Sequence, residues 1–147
     1  MEAAKITTET GSSTLVIASL DREAPVLYTS NIGDSGYLLL RKTPTELVSI
    51  FRSKEQTHGF NFPYQIGSGG DDPEKAETQL HSVDHNDILV VGTDGLFDNL
   101  YDEQIKELIT PFIQDSDDIE DVQRLADVIA EKAEELGANP TWQSPFA

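Results

Sequence analysis

The chain has 147 residues and no cysteine, and its 27 acidic residues against 10 Lys and Arg give a formal net charge of −17. The length suits a single domain over residues 1–147. Lack of cysteine excludes disulfides, thiolate metal sites and a cysteine nucleophile. The acidic surface disfavours nucleic acid and anionic membranes, which need clustered cations. No apolar run approaches the roughly 20 residues of a membrane helix, and residues 1–10 predict no targeting segment.

The first half of the sequence predicts antiparallel strands joined by short turns. Ser13–Leu20 is β-branched and apolar, which is typical of a buried strand. Further strands are predicted at Val26–Ser30, Tyr37–Lys42 and Glu46–Arg52. Because the connections are too short for helical crossovers, we expect an antiparallel meander.

A glycine- and aspartate-rich segment, residues 54–77, interrupts this pattern and predicts a long surface loop, mobile around Ser68–Pro73. A strand is expected at Thr78–Val83. Another is expected at Asp87–Val91, a buried strand that runs directly into Gly92-Thr93-Asp94-Gly95.

The rest of the chain predicts two helices separated by acidic, exposed residues 115–121. Asp102 can cap a helix that runs to about Ile113. The second helix stops at Gly137 and carries apolar residues at helical spacing: Val122, Leu125, Ala126, Ile129, Ala133 and Leu136. Near the end of the chain, Trp142 and Phe146 are expected to dock onto a core.

Two aspartate-containing turns are candidates for chemistry. Asp94 follows a strand, Gly95 lets the backbone bend, and Asp98 lies four residues later, so one tightly wound turn would bring both carboxylates to one side. Asp34 lies in a turn-forming run, residues 31–36, between two predicted strands. Ordinary turns also use Asp-Gly and Gly-Asp, so each motif alone has a purely structural interpretation.

Together the two turns resemble a specific family. Gly33-Asp34-Ser35 and Asp94-Gly95-Leu96-Phe97-Asp98 occur in the order found in type 2C protein phosphatases, and four flanking or overlapping stretches match as well: Gly11–Thr14, His58–Gln65, Thr93–Asn99 and Ser144–Ala147. The set is similar to the short branch of the family whose members are commonly mitochondrial. The resemblance spans about residues 11–147.

The resemblance implies an α+β fold, an antiparallel β-sandwich with flanking helices and metal ions between the sheets. It implies a Mg²⁺- or Mn²⁺-dependent enzyme that hydrolyses phosphoserine and phosphothreonine in proteins through a metal-activated water. Asp94 matches a ligand of the catalytic metals, with Gly95 its structural neighbour at the metal site. Asp34 and Asp98 match, with Asp94, a further metal site, although both could instead orient coordinated waters.

The chain also departs from the family pattern. The family's early Asp-Gly motif, whose Asp bridges both metals, and a phosphate-contacting Arg have no counterpart here, and neither does a later Asp motif followed by a strand. We therefore expect an incomplete domain with little or no activity when isolated. Unpaired sheet edges would then favour self-association. An intracellular location is expected, mitochondrial by the family branch and otherwise cytoplasmic.

A catalytically dead binding or regulatory module is the main alternative. A haloacid dehalogenase-type phosphatase needs a second Asp two residues from the first, and Gly92 and Leu96 occupy those positions around Asp94. No loop has the ligand spacing of an EF-hand. The three histidines, at positions 58, 81 and 85, could suggest zinc, but they do not share a predicted helix face and are expected to be solvated.

Overall fold

The computed structural model describes residues 9–114 and 118–147, and the chain divides into two compact units. The first comprises the described residues up to Tyr37 together with Arg52–His85, and the second comprises Leu38–Phe51 and the described residues from 86 to 147. The expectation of a single domain stays a prediction. Residues 1–8, most of the segment expected to lack a targeting signal, lie outside the described residues. So do residues 115–117, part of the segment expected to be acidic and exposed.

The elements alternate between short strands and, later, helices. In chain order the strands are β1 (Ser12–Ser13), β2 (Leu15–Leu20), β3 (Val26–Ile32), β4 (Gly36–Lys42), β5 (Leu47–Arg52), β6 (Thr57–Gly59), β7 (Phe62–Pro63), β8 (Ile66–Gly67), β9 (Glu77–Ser82) and β10 (Ile88–Gly92). The helices are α1 (Asp94–Phe97), α2 (Asp102–Ile109) and α3 (Val122–Gly137), with 3₁₀ turns at Pro73–Lys75 and Thr110–Phe112.

The first unit contains a three-stranded antiparallel sheet in the order β2-β3-β9. The prediction that its first strand is buried is wrong: Leu15, Ile17 and Leu20 are 39%, 51% and 65% exposed. In the described chain β2 pairs with β3 alone within this sheet. A strand at such an edge has no neighbour on its other side to shield its side chains.

The second unit has one apolar core. Alternate residues of β4, Leu38 and Leu40, enter it because strand side chains point to opposite faces. The helices close the core with Ile105 and Ile109 from α2 and Leu125, Ile129, Ala133 and Leu136 from α3. The strands of this part of the chain pair in the order β10-β4-β5. The expectation that β10 is a buried strand is wrong, because its residues are only partly buried and Val91 is 49% exposed.

Both predicted long helices are present, with shifted details. Asp102 is the first residue of α2 rather than its cap; Tyr101 takes the cap position, and its backbone N–H donates to Gln104 Oε1 at 3.1 Å. The α-helix ends at Ile109, and the chain narrows to a 3₁₀ turn containing Pro111, whose ring cannot continue an α-helix. At the start of α3, Val122 is 65% exposed and lies outside the core.

Two other expectations need correction. The segment 54–77 is not an unstructured loop, because it contains β6, β7, β8 and a 3₁₀ turn. The meander is also wrong: β3 and β4 follow each other along the chain but belong to different sheets. The α+β class, with antiparallel strand pairs and helices, is confirmed. No helix of the described residues has both the length and the hydropathy to cross a membrane.

Candidate functional site

Asp94 lies where a strand passes into a short helical turn. Strand β10 ends at Gly92, Thr93 is the N-cap, and α1 begins at Asp94. The Asp94 side chain is exposed, and its Oδ1 accepts a hydrogen bond of 2.7 Å from the backbone N–H of Gly95. The backbone N–H of Asp98 donates to Asp94 O at 2.8 Å. The predicted tight turn linking the two aspartates is confirmed, with Asp98 half-buried.

Close packing, buried side chains and a hydrogen bond hold the Asp94–Asp98 turn in place. A Cβ at Gly92 would lie 2.6 Å from Leu96 Cδ2, so the strand end and α1 approach closely. Phe97 and Leu100 are buried in the core, which anchors the turn. Asn99 Nδ2 donates to Gly95 O at 2.9 Å, so its amide closes the turn. In the sequence Asn99 is notable only as the last residue of the matching stretch Thr93–Asn99, which assigns it no role of its own.

The end of the chain supports the same turn. The indole Nε1–H of Trp142 donates to Asn99 O at 3.0 Å, and the ring packs against the core, as predicted. The backbone N–H of Phe146 donates to Asp98 O at 3.4 Å. The Phe146 side chain is 43% exposed, so its predicted docking onto a core is wrong. The matching Ser-Pro-Phe stretch therefore contacts the Asp94–Asp98 turn through its backbone.

The second aspartate turn lies in the first unit, between β3 and β4. Gly33 has a φ of 97°, a left-handed conformation that glycine adopts without strain. Gln56 brackets the turn with two hydrogen bonds: its Oε1 accepts from Gly33 N at 3.3 Å, and its backbone N–H donates to Gly33 O at 2.9 Å. Asp34 follows and is half-buried.

Two matching stretches of sequence meet at this turn. Ser35 is 8% exposed and shares a 2.6 Å hydrogen bond with the Thr14 hydroxyl. A Cβ at Gly33 would lie 2.6 Å from Tyr64 O and 2.7 Å from Thr14 Cβ. The stretches 11–14 and 58–65 thus pack directly on Gly33-Asp34-Ser35, which gives a physical reason why these motifs occur together.

The predicted metal ligands fall in both units. Asp34 belongs to the first, and Asp94, Gly95 and Asp98 belong to the second. Across residues 9–114 and 118–147, no three His, Asp or Glu side chains are gathered closely enough to hold a metal ion. The carboxylate oxygens are of the kind that Mg²⁺ and Mn²⁺ prefer. The described residues do not assemble a complete ligand set, and the metal site stays a prediction.

The histidines were expected to be solvated. His58 and His85 are exposed, as expected, whereas His81 is half-buried. His58 Nε2 is hydrogen-bonded to Asp71 at 2.9 Å. The hydrogen bond from Lys75, and to a smaller extent the one with His58, lowers the pKa of Asp71 from 3.8 to about 2. His81 Nε2 lies 2.9 Å from the Tyr37 hydroxyl. Burial lowers the pKa of His81 and raises that of Tyr37.

No family model matches the chain. Among curated proteins it is similar to "Protein phosphatase PTC7 homolog fig" of Drosophila ananassae, at 37% identity over 93% of this chain and 42% of that protein. It is likewise 38% identical to "Protein phosphatase PTC7 homolog" of Homo sapiens, over 93% of this chain and 46% of the relative. The chain therefore spans less than half the length of these relatives.

Among solved structures it resembles the photosystem II phosphatase PBCP, with a TM-score of 0.86 and 30% identity over 99% of this chain and 54% of that one. The catalytic domain of the serine/threonine phosphatase PstP, in complex with 2 manganese ions, shares the fold, with a TM-score of 0.58 and 21% identity over 83% of this chain and 54% of PstP. In sequence and in fold, the chain is similar to protein phosphatases of the type 2C family.

Proposed function

We propose that the protein is a metal-dependent serine/threonine protein phosphatase whose substrates are phosphorylated proteins. The observation that carries the proposal is the strand-to-helix turn that begins at Asp94. It holds an exposed carboxylate rigidly, through the amide of Gly95 and the close approach of Gly92 to Leu96. Rigidly held carboxylates at strand ends suit cation binding and a reaction that depends on positioning.

The proposed metal ligands are Asp94, Asp34 and Asp98, with Gly95 at the same site. Carboxylates suit Mg²⁺ or Mn²⁺, and PstP, which has the same fold, was solved with 2 manganese ions. Bound there, such a metal would supply an acidified water and neutralise charge on the phosphoryl group. The contribution of this chain is to orient the carboxylates: Asn99 closes the Asp94 turn, and Gln56 brackets the Asp34 turn.

The 147-residue chain by itself is expected to have little or no activity. Its described residues gather no three side chains able to hold a metal ion, and the bridging Asp of the family pattern has no counterpart in the sequence. Exposed apolar side chains on β2, an edge strand in the described chain, favour self-association. The family branch suggests a mitochondrial location.

The test is Mn²⁺-dependent hydrolysis of p-nitrophenyl phosphate by the purified chain and by the full-length product of its gene, each with Asp94→Asn as control. We expect turnover from the full-length protein alone, abolished by Asp94→Asn. Equal turnover by the isolated chain would contradict its expected inactivity. Full-length activity that survives Asp94→Asn would contradict the role of Asp94.

A catalytically dead binding module is the second candidate. It is favoured by the lack of a three-ligand cluster in the part of the chain that the structure describes. Under this alternative the full-length protein would bind Mn²⁺ weakly or not at all and would hydrolyse neither p-nitrophenyl phosphate nor phosphoserine peptides.

A further inference from the structure

The hairpin formed by β6 and β7 carries exposed aromatic side chains. Thr57 pairs with Pro63 and Gly59 with Phe62, and Asn61 at the turn has a left-handed φ of 49°. Phe60, at the tip, is 85% exposed, and Phe62 is 61% exposed. Two adjacent aromatic side chains exposed on a short, ordered hairpin are typical of a contact surface rather than of a core.

Ring contacts and hydrogen bonds within the first unit hold the hairpin in place. The His58 ring lies 5.0 Å from the Phe62 ring and 4.3 Å from the Tyr64 ring, centroid to centroid. Asp71 Oδ2 is hydrogen-bonded to His58 Nε2 at 2.9 Å, and Asp71 Oδ1 accepts a hydrogen bond from Lys75 Nζ at 2.8 Å. The aromatic tip is therefore presented by a preorganised support, which reduces the ordering cost of binding a partner.

The surrounding charge indicates which partner fits. The segment 54–77 holds five carboxylates and two lysines, in a chain of net charge −17. One of the lysines, Lys75, is already paired with Asp71. Glu55, Asp72 and Glu74 are exposed. Such a segment repels anionic lipid surfaces, nucleic acids and acidic peptides, and it attracts cationic peptides.

We propose that the hairpin tip docks an arginine-bearing, extended segment of a partner protein. An arginine guanidinium stacks on an aromatic face and pairs with carboxylates at the same time, whereas a lysine ammonium is a compact, strongly hydrated charge. Phe60 supplies the face, and the carboxylates of the segment supply the complementary charge. This function requires no metal ion and no turnover, so it stands apart from the phosphatase proposal.

The base of the hairpin is also joined to the Asp34 turn. The backbone N–H of Tyr64 donates to Gln56 O at 2.9 Å, and Gln56 in turn brackets Gly33. A segment docked on the tip would thus be held on the same stretch of chain that positions Asp34.

The experiment measures fluorescence anisotropy of a labelled peptide of alternating leucine and arginine, and of the same peptide with lysine in place of arginine. We expect the wild-type chain to bind the arginine peptide about fivefold more tightly than the lysine peptide, the size of one exposed cation–π contact. Phe60→Ser should abolish that preference. Leu20→Ser, which removes another exposed apolar side chain of the unit (65% exposed), should retain it.

Two results would overturn the proposal. One is equal wild-type affinity for the two peptides, which would mean nonspecific attraction of cations to an acidic protein. The other is an arginine preference that survives Phe60→Ser. Vesicles of phosphatidylcholine and phosphatidylserine should not bind, and Phe60-dependent vesicle binding would assign the tip to a membrane surface instead.

Discussion

Replacing Gly33 by alanine should destabilise the first unit by two separable effects. The backbone there has a φ of 97°, which costs an L-residue about 1 kcal/mol. An added Cβ would also lie 2.6 Å from the Tyr64 carbonyl oxygen, and backbone cannot give way as a flexible side chain can. Overpacking of this kind costs a further ~1–3 kcal/mol. Gly33→Ala should therefore lower the free energy of unfolding by about 2–4 kcal/mol.

Two other glycines provide matched controls. Gly69 has a φ of 70° with no atom within 4 Å of an added Cβ, so Gly69→Ala isolates the backbone effect at about 1 kcal/mol. Gly59 has neither a positive φ nor a close neighbour, and Gly59→Ala should be neutral or slightly stabilising.

The assay is urea denaturation followed by far-UV circular dichroism. With an m-value of about 2 kcal/mol/M, the midpoint should fall by roughly 1–2 M for Gly33→Ala and by about 0.5 M for Gly69→Ala. If the urea midpoint fell by the same amount in both variants, the close approach of Gly33 to Tyr64 would not be a constraint. The packing explanation for the joint occurrence of these motifs would then fail.

Three further predictions concern charged and hydrogen-bonded groups. Asp87→Asn should cost about 2–3 kcal/mol in urea denaturation, because Asp87 is 5% exposed and bidentate to Arg41. Glu103→Gln should cost under about 0.5 kcal/mol, because the Glu103 side chain is 77% exposed and its pairing with Lys106 is screened by solvent. Since the folded pKa of Asp71 is lowered from 3.8 to about 2, its stabilising contribution should be complete above pH 4 and disappear as the pH falls towards 2; a carboxyl NMR midpoint near 3.8 would refute this. Trp142→Phe should cost about 1 kcal/mol through loss of the indole hydrogen bond to Asn99, and an unchanged unfolding midpoint would show that this bond is unimportant.

The strands, helices and aspartate turns were largely predictable from local pattern. The 3.6-residue spacing of Leu125, Ile129, Ala133 and Leu136 is a local property, and these residues form the buried face of α3. The tight turn at Asp94 follows from Asp-Gly after a strand. Both patterns are visible in a window of a few residues, which is why they could be identified without the structure.

Burial and pairing could not be predicted in the same way. The β-branched residues of β2 have the pattern of a core strand, but Ile17 is 51% exposed because burial depends on which elements pack against the sheet. The short strands β6 and β7 are supported by hydrogen bonds between residues that are separated in the sequence. His58 is bonded to Asp71, and the backbone N–H of Tyr64 donates to Gln56 O. The hydrogen bond from Trp142 Nε1 to Asn99 O joins residues 43 positions apart, so a window of a few residues does not reveal it.

The metal role proposed for Asp94 and Asp98, which lie one tight turn apart, is the main claim to test. The most direct test is a Mn²⁺ binding titration of the full-length gene product, followed by electron paramagnetic resonance, for Asp94→Asn, Asp98→Asn and the double variant. If both carboxylates bind the same ion, each single variant should lose or weaken the same Mn²⁺ equivalent, and the double variant should lose no additional one. Retention of every Mn²⁺ equivalent by Asp94→Asn, or loss of different equivalents in the two single variants, would contradict a shared site.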